Sequence, residues 1–159
     1  MNNQISLMKY AVNYLSKFSS SKKNLEKILK SKVQRLTKDK KQRFNLYSQI
    51  DDIIILLEKN KLINDENYCQ SKIRLLVSQF KSKKFIENYL FSKGINKLTI
   101  NDQLYNFESD NNEWEKKSAL SFAKKKNFFN SDENIQKKLS KMARAGFPYE
   151  ICKDVLKID

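Results

Sequence analysis

The sequence predicts an all-α protein of nine helices in three sets of three. Three observations predict it. Apolar residues recur at spacings of three and four along nearly the whole chain, the mark of amphipathic helices. Sustained strand alternation is missing, Phe44 to Tyr47 alone being ambiguous. The only two glycines, Gly94 and Gly146, stand 52 positions apart, each closing a helical pattern and each followed by a large apolar residue, Ile95 or Phe147. A glycine just past the last periodic residue takes the left-handed conformation at little steric cost, and the apolar residue after it packs back on the last turn. Two copies at a fixed interval read as a repeated unit.

The first unit, residues 1–61, opens with a helix from Ile5 to Lys17 whose stripe is Met8, Ala11, Val12 and Leu15. Ser19-Ser20-Ser21 breaks it and supplies N-cap residues. The second helix places Leu25, Ile28, Leu29, Val33 and Leu36 on one side and lysines on much of the rest. Lys38 to Arg43 is almost wholly charged and reads as a connector or a helix start. The third helix spans Phe44 to Asn60 on Tyr47, Ile50, Ile54 and Leu57. The run Ile53 to Leu57 is apolar all round, so it is expected to be contacted on two sides.

The second unit, residues 62–109, starts with Asn64 or Asp65 as cap and continues through Cys69, Ile73, Leu76 and Phe80. Lys81 to Lys84 is a basic turn with Ser82 as a cap. Ile86, Tyr89 and Leu90 carry the next helix to Gly94. Thr99 with Asp102 three residues on forms a capping-box arrangement ahead of Ile100, Leu104 and Phe107. The third unit, residues 110–159, begins after a polar break, with Asp110 and Glu113 as a helix start and Trp114, Ala119, Phe122 and Ala123 on its stripe. Phe128-Phe129 anchors a turn in the core. Asn130 or Ser131 caps a helix carrying Ile135, Leu139, Met142 and Ala143. After Gly146, Pro148 suits the first position of the last helix, closed by Ile151, Val155 and Leu156.

Composition limits the function classes. Thirty-two basic residues against 18 acidic leave a net charge of +14. Such an excess points to an anionic partner, nucleic acid or an acidic protein surface. There is no histidine, so the commonest general base and metal ligand is missing. Cys69 and Cys152 fit no metal-ligand spacing and read as small buried apolar residues in a reducing compartment. The two isolated glycines make no phosphate loop. No catalytic pair stands out, and the chain reads as a non-enzyme without cofactor or metal. The longest apolar run is too short to cross a bilayer, and Met1–Ser6 has no leader pattern, so a soluble cytoplasmic protein is expected.

The candidate partner-binding residues are the basic clusters: Lys22, Lys23 and Lys27; Arg43; Lys81, Lys83 and Lys84; Lys124 and Lys125; Lys137, Lys141 and Arg144. The last three follow helical spacing off the apolar stripe and form one strip. Lysine dominates over arginine, which favours point-charge attraction to phosphates or carboxylates over bidentate base readout. The plain alternative for any of these lysines is a solvated helix face. Tyr10 and Tyr149 are the aromatic residues expected to be open to a partner.

Four stretches also carry a resemblance. They are Met8 to Leu29, "MKYAVNYLSKFSSSKKNLEKIL"; Ile50 to Cys69, "IDDIIILLEKNKLINDENYC"; Ile86 to Ile95, "IENYLFSKGI"; and Ala143 to Leu156, "ARAGFPYEICKDVL". In order and spacing the chain resembles the RecX family of recombinase regulators over essentially its whole length. It departs from the family at Lys32-Val33, where a Lys-Gly-aromatic step is usual, at Leu36 to Arg43, which looks like an insertion, and at Cys69 in place of alanine. The resemblance implies three tandem three-helix repeats in a curved, elongated array. It also implies a monomeric regulator lodged in the groove of the RecA–DNA filament, touching DNA weakly or through RecA. There it would restrain strand exchange, ATP hydrolysis and coprotease activity in recombination, DNA repair and the SOS response. The competing reading from charge alone is a RecA-independent DNA-binding module of helix-turn-helix type.

Overall fold

The computed structural model describes residues 3–158, with side chains from residue 7 onward. Met1, Asn2 and Asp159 lie outside that description, as do the side chains of residues 3–6, so the expectation for Met1–Ser6 falls largely outside it. Among the described residues there is no strand, and ten helical segments follow one another. They are α1 (Asn3–Leu15), α2 (Lys22–Leu36), α3 (Lys40–Ser48), α4 (Ile50–Lys59), α5 (Asp65–Ser78), α6 (Lys83–Ser92), α7 (Lys97–Asp110), α8 (Trp114–Lys125), α9 (Ile135–Arg144) and α10 (Tyr149–Leu156). The third helix of the sequence reading starts earlier than expected and is broken. Asp39 caps α3 through Gln42 N–H at 2.7 Å, so the charged run is a helix start. The break falls on Gln49, whose own backbone stays right-handed (φ −88°, ψ −15°). With α3 and α4 taken as one interrupted helix, the count is the nine expected.

Two compact units emerge, Met1–Tyr68 with Lys93–Ile95, and Cys69–Ser92 with Asn96–Asp159. The core of the first is Leu7 and Ala11 of α1, Leu25, Leu29 and Val33 of α2, Leu46 of α3, and Ile50, Ile53 and Leu57 of α4. In the second, Ala119, Ala123 and Phe128 meet Met142, Phe147, Cys152 and Val155. Both cysteines are free and buried.

Several expected inward positions turn outward. Val12 is exposed, because Leu7 and Ala11, one turn apart, take the core side of α1 and rotate its stripe by about one residue. Leu36 is exposed at the end of α2, as are Ile135 in the first turn of α9 and Ala143, which neighbours the buried Met142. Phe128 is buried but Phe129 is half exposed. The caps shift as well. Asn96 rather than Thr99 caps α7, accepting Thr99 N–H at 2.8 Å. Asn134 rather than Asn130 or Ser131 caps α9, accepting Gln136 N–H at 2.7 Å. Glu113 precedes α8 in a left-handed conformation (φ 56°) and provides no side-chain cap.

One set of contacts occurs twice. In the first unit the Ser21 hydroxyl caps α2 at Asn24 N–H (3.1 Å) and donates to the Lys93 carbonyl. Lys22 N–H donates to Asp65 Oδ1 (2.8 Å), and Lys22 Nζ pairs with Glu58 (2.8 Å). In the second unit the Ser82 hydroxyl caps α6 at Phe85 N–H (3.1 Å) and donates to the Ala145 carbonyl (2.7 Å). Lys83 N–H donates to Glu115 Oε1 (2.9 Å), and Lys83 Nζ pairs with Glu108 (2.9 Å). Each accepting carbonyl immediately precedes a glycine. A Cβ on Gly94 would lie well inside 3.0 Å of Lys23 Cβ, and one on Gly146 would lie 2.5 Å from Ser82 Oγ. Each joint therefore ties the start of one helix to the glycine end of another.

Candidate functional site

The expected basic residues separate into those the fold uses and those it leaves open. Lys22 and Lys83 belong to the joints. The Glu58 carboxylate raises the Lys22 pKa, and the Glu108 carboxylate raises that of Lys83, each by hydrogen bonding its ammonium. Burial pushes the Glu115 carboxyl upward, against the Lys83 N–H it accepts. Arg43 folds back on α2, donating from Nε to the Thr37 carbonyl (2.7 Å) and from a terminal nitrogen to the Gln34 carbonyl (3.1 Å). It thereby covers carbonyls that a helix end leaves unpaired. Lys81 lies over the Phe85 ring, 4.7 Å from its centroid. Lys23 makes only a long, exposed ion pair with Glu26 (3.3 Å).

Lys27, Lys84, Lys124, Lys125, Lys137 and Arg144 are exposed. The α9 strip is present as spaced: Lys137, Lys141 and Arg144 are all exposed on that helix. Lys141 is shared with Glu133 at 2.6 Å. Neighbouring Lys138 instead donates from Nζ to the Phe128 and Ser131 carbonyls (2.5 and 2.9 Å), closing the α8–α9 loop. Lys124 and Lys125 end α8, where cations suit the helix dipole. Of the two tyrosines, Tyr149 is exposed, while Tyr10 packs against the core of the first unit under Lys32 (4.9 Å).

Sequence reasoning named Phe44 only as the start of the third helix; it is 73% exposed on α3, about one turn after Lys40 and Lys41. An apolar residue beside a charge run reads as a stripe position, so only the early start of α3 reveals that this ring faces solvent. Among the described residues no three His, Cys, Asp or Glu side chains stand together as a metal site. No helix there is long and apolar enough to cross a membrane.

No family model matches the chain. Regulatory protein RecX of Myxococcus xanthus (strain DK1622) is 27% identical over 154 residues, covering 92% of this chain and 81% of that protein. Regulatory protein RecX of Clostridioides difficile (strain 630) is 29% identical over 151 residues, covering 92% of this chain and 64% of that one. The crystal structure of RecX from Lactobacillus salivarius superposes with a TM-score of 0.72 at 26% identity, over 99% of this chain and 97% of the other. A further crystal structure of a regulatory protein RecX shares the fold at 20% identity, with a TM-score of 0.72. Helices and relatives together define the class, an all-α regulatory protein. Within that class, the chain is similar to RecX regulatory proteins over nearly its whole length.

Proposed function

We propose that this chain is a non-enzymatic, cytoplasmic regulator that binds the RecA–DNA filament and restrains the recombinase, ATPase and coprotease activities of RecA. The observation that carries the reading is the family likeness, which runs over 92% of the chain in sequence and 99% in structure. The open cations support it physically. A filament is a dense array of phosphate, and unpaired lysines attract phosphate without reading sequence. The strip Lys137, Lys141 and Arg144 on α9, with Lys124 and Lys125 at the end of α8, is the surface assigned to that contact. The same reading keeps three tandem repeats, 1–61, 62–109 and 110–159, and the twice-occurring Ser-Lys-acid-Gly joint supports them.

The test is RecA ATPase on single-stranded DNA with substoichiometric regulator, together with co-sedimentation. Inhibition with co-sedimentation is expected. Absence of both overturns the reading. Tight, steeply salt-dependent binding to DNA alone, with no effect on RecA, would favour the DNA-binding module instead.

A further inference from the structure

A trough of about 400 Å³ runs between α5 and α7 in the second unit. Its volume falls in the range of roughly 300–1,000 Å³ typical of small-molecule sites. Ile73 and Phe107 supply apolar floor, and Arg74 and Asp110 put one charge of each sign on the walls. Between them stands a pair of amides. Gln70 Nε2 donates to Gln103 Oε1 at 2.8 Å. Gln103 is only 9% exposed, one of the few buried polar residues of the chain.

The pair leaves one acceptor, Gln70 Oε1, and one donor, Gln103 Nε2, without a hydrogen-bond partner among the described residues. The sole side-chain nitrogen or oxygen there that is both sealed and unpartnered is Gln49 Oε1. Gln103 Nε2 is therefore not sealed, and the trough is what opens onto it. Reversing both amides would still leave one donor and one acceptor free on the same bonded pair.

We propose that this trough binds a nucleobase. Adjacent donor and acceptor from amide side chains match the edge of a base, as asparagine and glutamine match adenine. Phe107 lines the trough, and an aromatic side chain there can stack on a base in a sequence-tolerant way. The balanced charges of Arg74 and Asp110 favour a neutral planar group over a bare anion. The site lies apart from the basic strip on α9, and its binding requires neither RecA nor a filament.

The chain carries its own reporter. Its one tryptophan, Trp114, is buried with its ring edge-on to Phe107, centroids 5.8 Å apart. The full chain is titrated with dAMP, dGMP, dCMP, dTMP and inorganic phosphate, following Trp114 emission and the side-chain NH₂ signals of Gln70 and Gln103 by NMR. At least one nucleotide should move both, and phosphate should move neither. Gln103→Leu should weaken that binding about tenfold or more by removing the Gln103 donor and the acceptor that holds the Gln70 amide. Gln70→Leu, at an exposed position, gives the same reading should Gln103→Leu fail to fold. An oligodeoxyadenylate that binds where dAMP does not, and is lost in Gln70→Leu, places the base on a strand and supports the proposal. No response to any nucleotide or oligonucleotide overturns it. So does an equal response to phosphate, or nucleotide binding that both variants leave unchanged. A failed RecA assay leaves all of these outcomes where they stand.

Discussion

Replacing Gly94 by alanine should cost more than a left-handed residue normally costs, and the excess should trace to one neighbour. Gly94 has φ +78° and Gly146 φ +94°. Lys61, Phe80, Asn127 and Lys157 also hold positive φ, near +53° to +61°, and none is glycine. Left-handedness alone therefore does not demand glycine in this chain. It costs an ordinary residue about 1–2 kcal/mol. At Gly94 the new methyl would also press on Lys23 Cβ and lie 2.7 Å from Lys23 Cγ. Lys23 Cβ is fixed to the first turn of α2, which Ser21 and Asp65 pin. It has no free rotation by which to yield, and forced overpacking of this kind costs about 1–3 kcal/mol. The sum expected for Gly94→Ala is about 2–4 kcal/mol, after allowing for the smaller entropy of an unfolded chain with alanine. Urea unfolding followed by far-UV circular dichroism measures it. Lys23→Gly removes the opposing Cβ, so in that background the cost of Gly94→Ala should shrink by at least about 1 kcal/mol, a coupling expected only of residues in contact. An unchanged cost in the Lys23→Gly background would refute the close-approach argument.

The remaining predictions use the same joints. Ser82→Ala removes the cap of α6 and leaves the Ala145 carbonyl unpaired, so stability should fall by about 2 kcal/mol in the same unfolding assay. The Glu115 carboxyl has a raised pKa because burial penalises its charge. Its protonated form is thus favoured by folding, and its contribution is present below the unfolded value and lost as pH rises through the folded one. Glu115→Gln keeps an acceptor for Lys83 N–H, so it should flatten the fall in stability above about pH 4.3, read from urea midpoints across pH. Lys22 and Lys83 have raised values. Their joints should hold below the unfolded lysine value of about 10.4 and weaken as pH rises past it, which thermal melts at alkaline pH would show.

Much of the fold was legible in the residues because helical periodicity is local. The stripe of α2 needs only a window of a dozen residues, and the buried cysteines follow from their places on α5 and α10. The run Ile53 to Leu57 misled: it is not contacted on two sides, since Ile55 and Leu56 are exposed. Caps were harder. Asn96 and Thr99, or Asn130, Ser131 and Asn134, are all competent cap residues within one turn of each other, and differences of a few tenths of a kcal/mol decide among them. The joints were not legible at all. Ser21 meets Lys93 across 72 positions and Ser82 meets Ala145 across 63, and nothing near either serine announces the distant carbonyl. The same holds for Lys22 and Lys83, which read as open charges and are engaged by acids 36 and 25 positions away. The missing glycine of the first unit also gains a cause. Gly94 and Gly146 are required where a helix start lies against them. In the first unit α2 continues through Lys32 and Val33 to Leu36, and the Arg43 guanidinium meets the Gln34 and Thr37 carbonyls at its end.

That division sharpens how charge should be tested. Glu58, Asp65, Glu108 and Glu115 are all committed to the joints. Acids held there do little to neutralise α9 and the end of α8, where cations stay exposed. Structural and partner-facing lysines should therefore fail in opposite ways. Reversing Lys137, Lys141 and Arg144 together to glutamate touches only one internal ion pair, that of Lys141 with Glu133, and exposed pairs are worth about 0–1 kcal/mol. Helicity and unfolding midpoint should barely move, while binding to RecA–DNA filaments should drop severalfold and lose much of its salt dependence. Lys83→Glu should do the reverse, placing a fourth acid beside Glu87, Glu108 and Glu115 and lowering the midpoint. Filament affinity per folded molecule should change little. If the α9 reversal leaves binding intact and Lys83→Glu abolishes it in a still-folded chain, the joint face rather than the α9 strip meets the partner, and the assignment of open and structural cations is inverted.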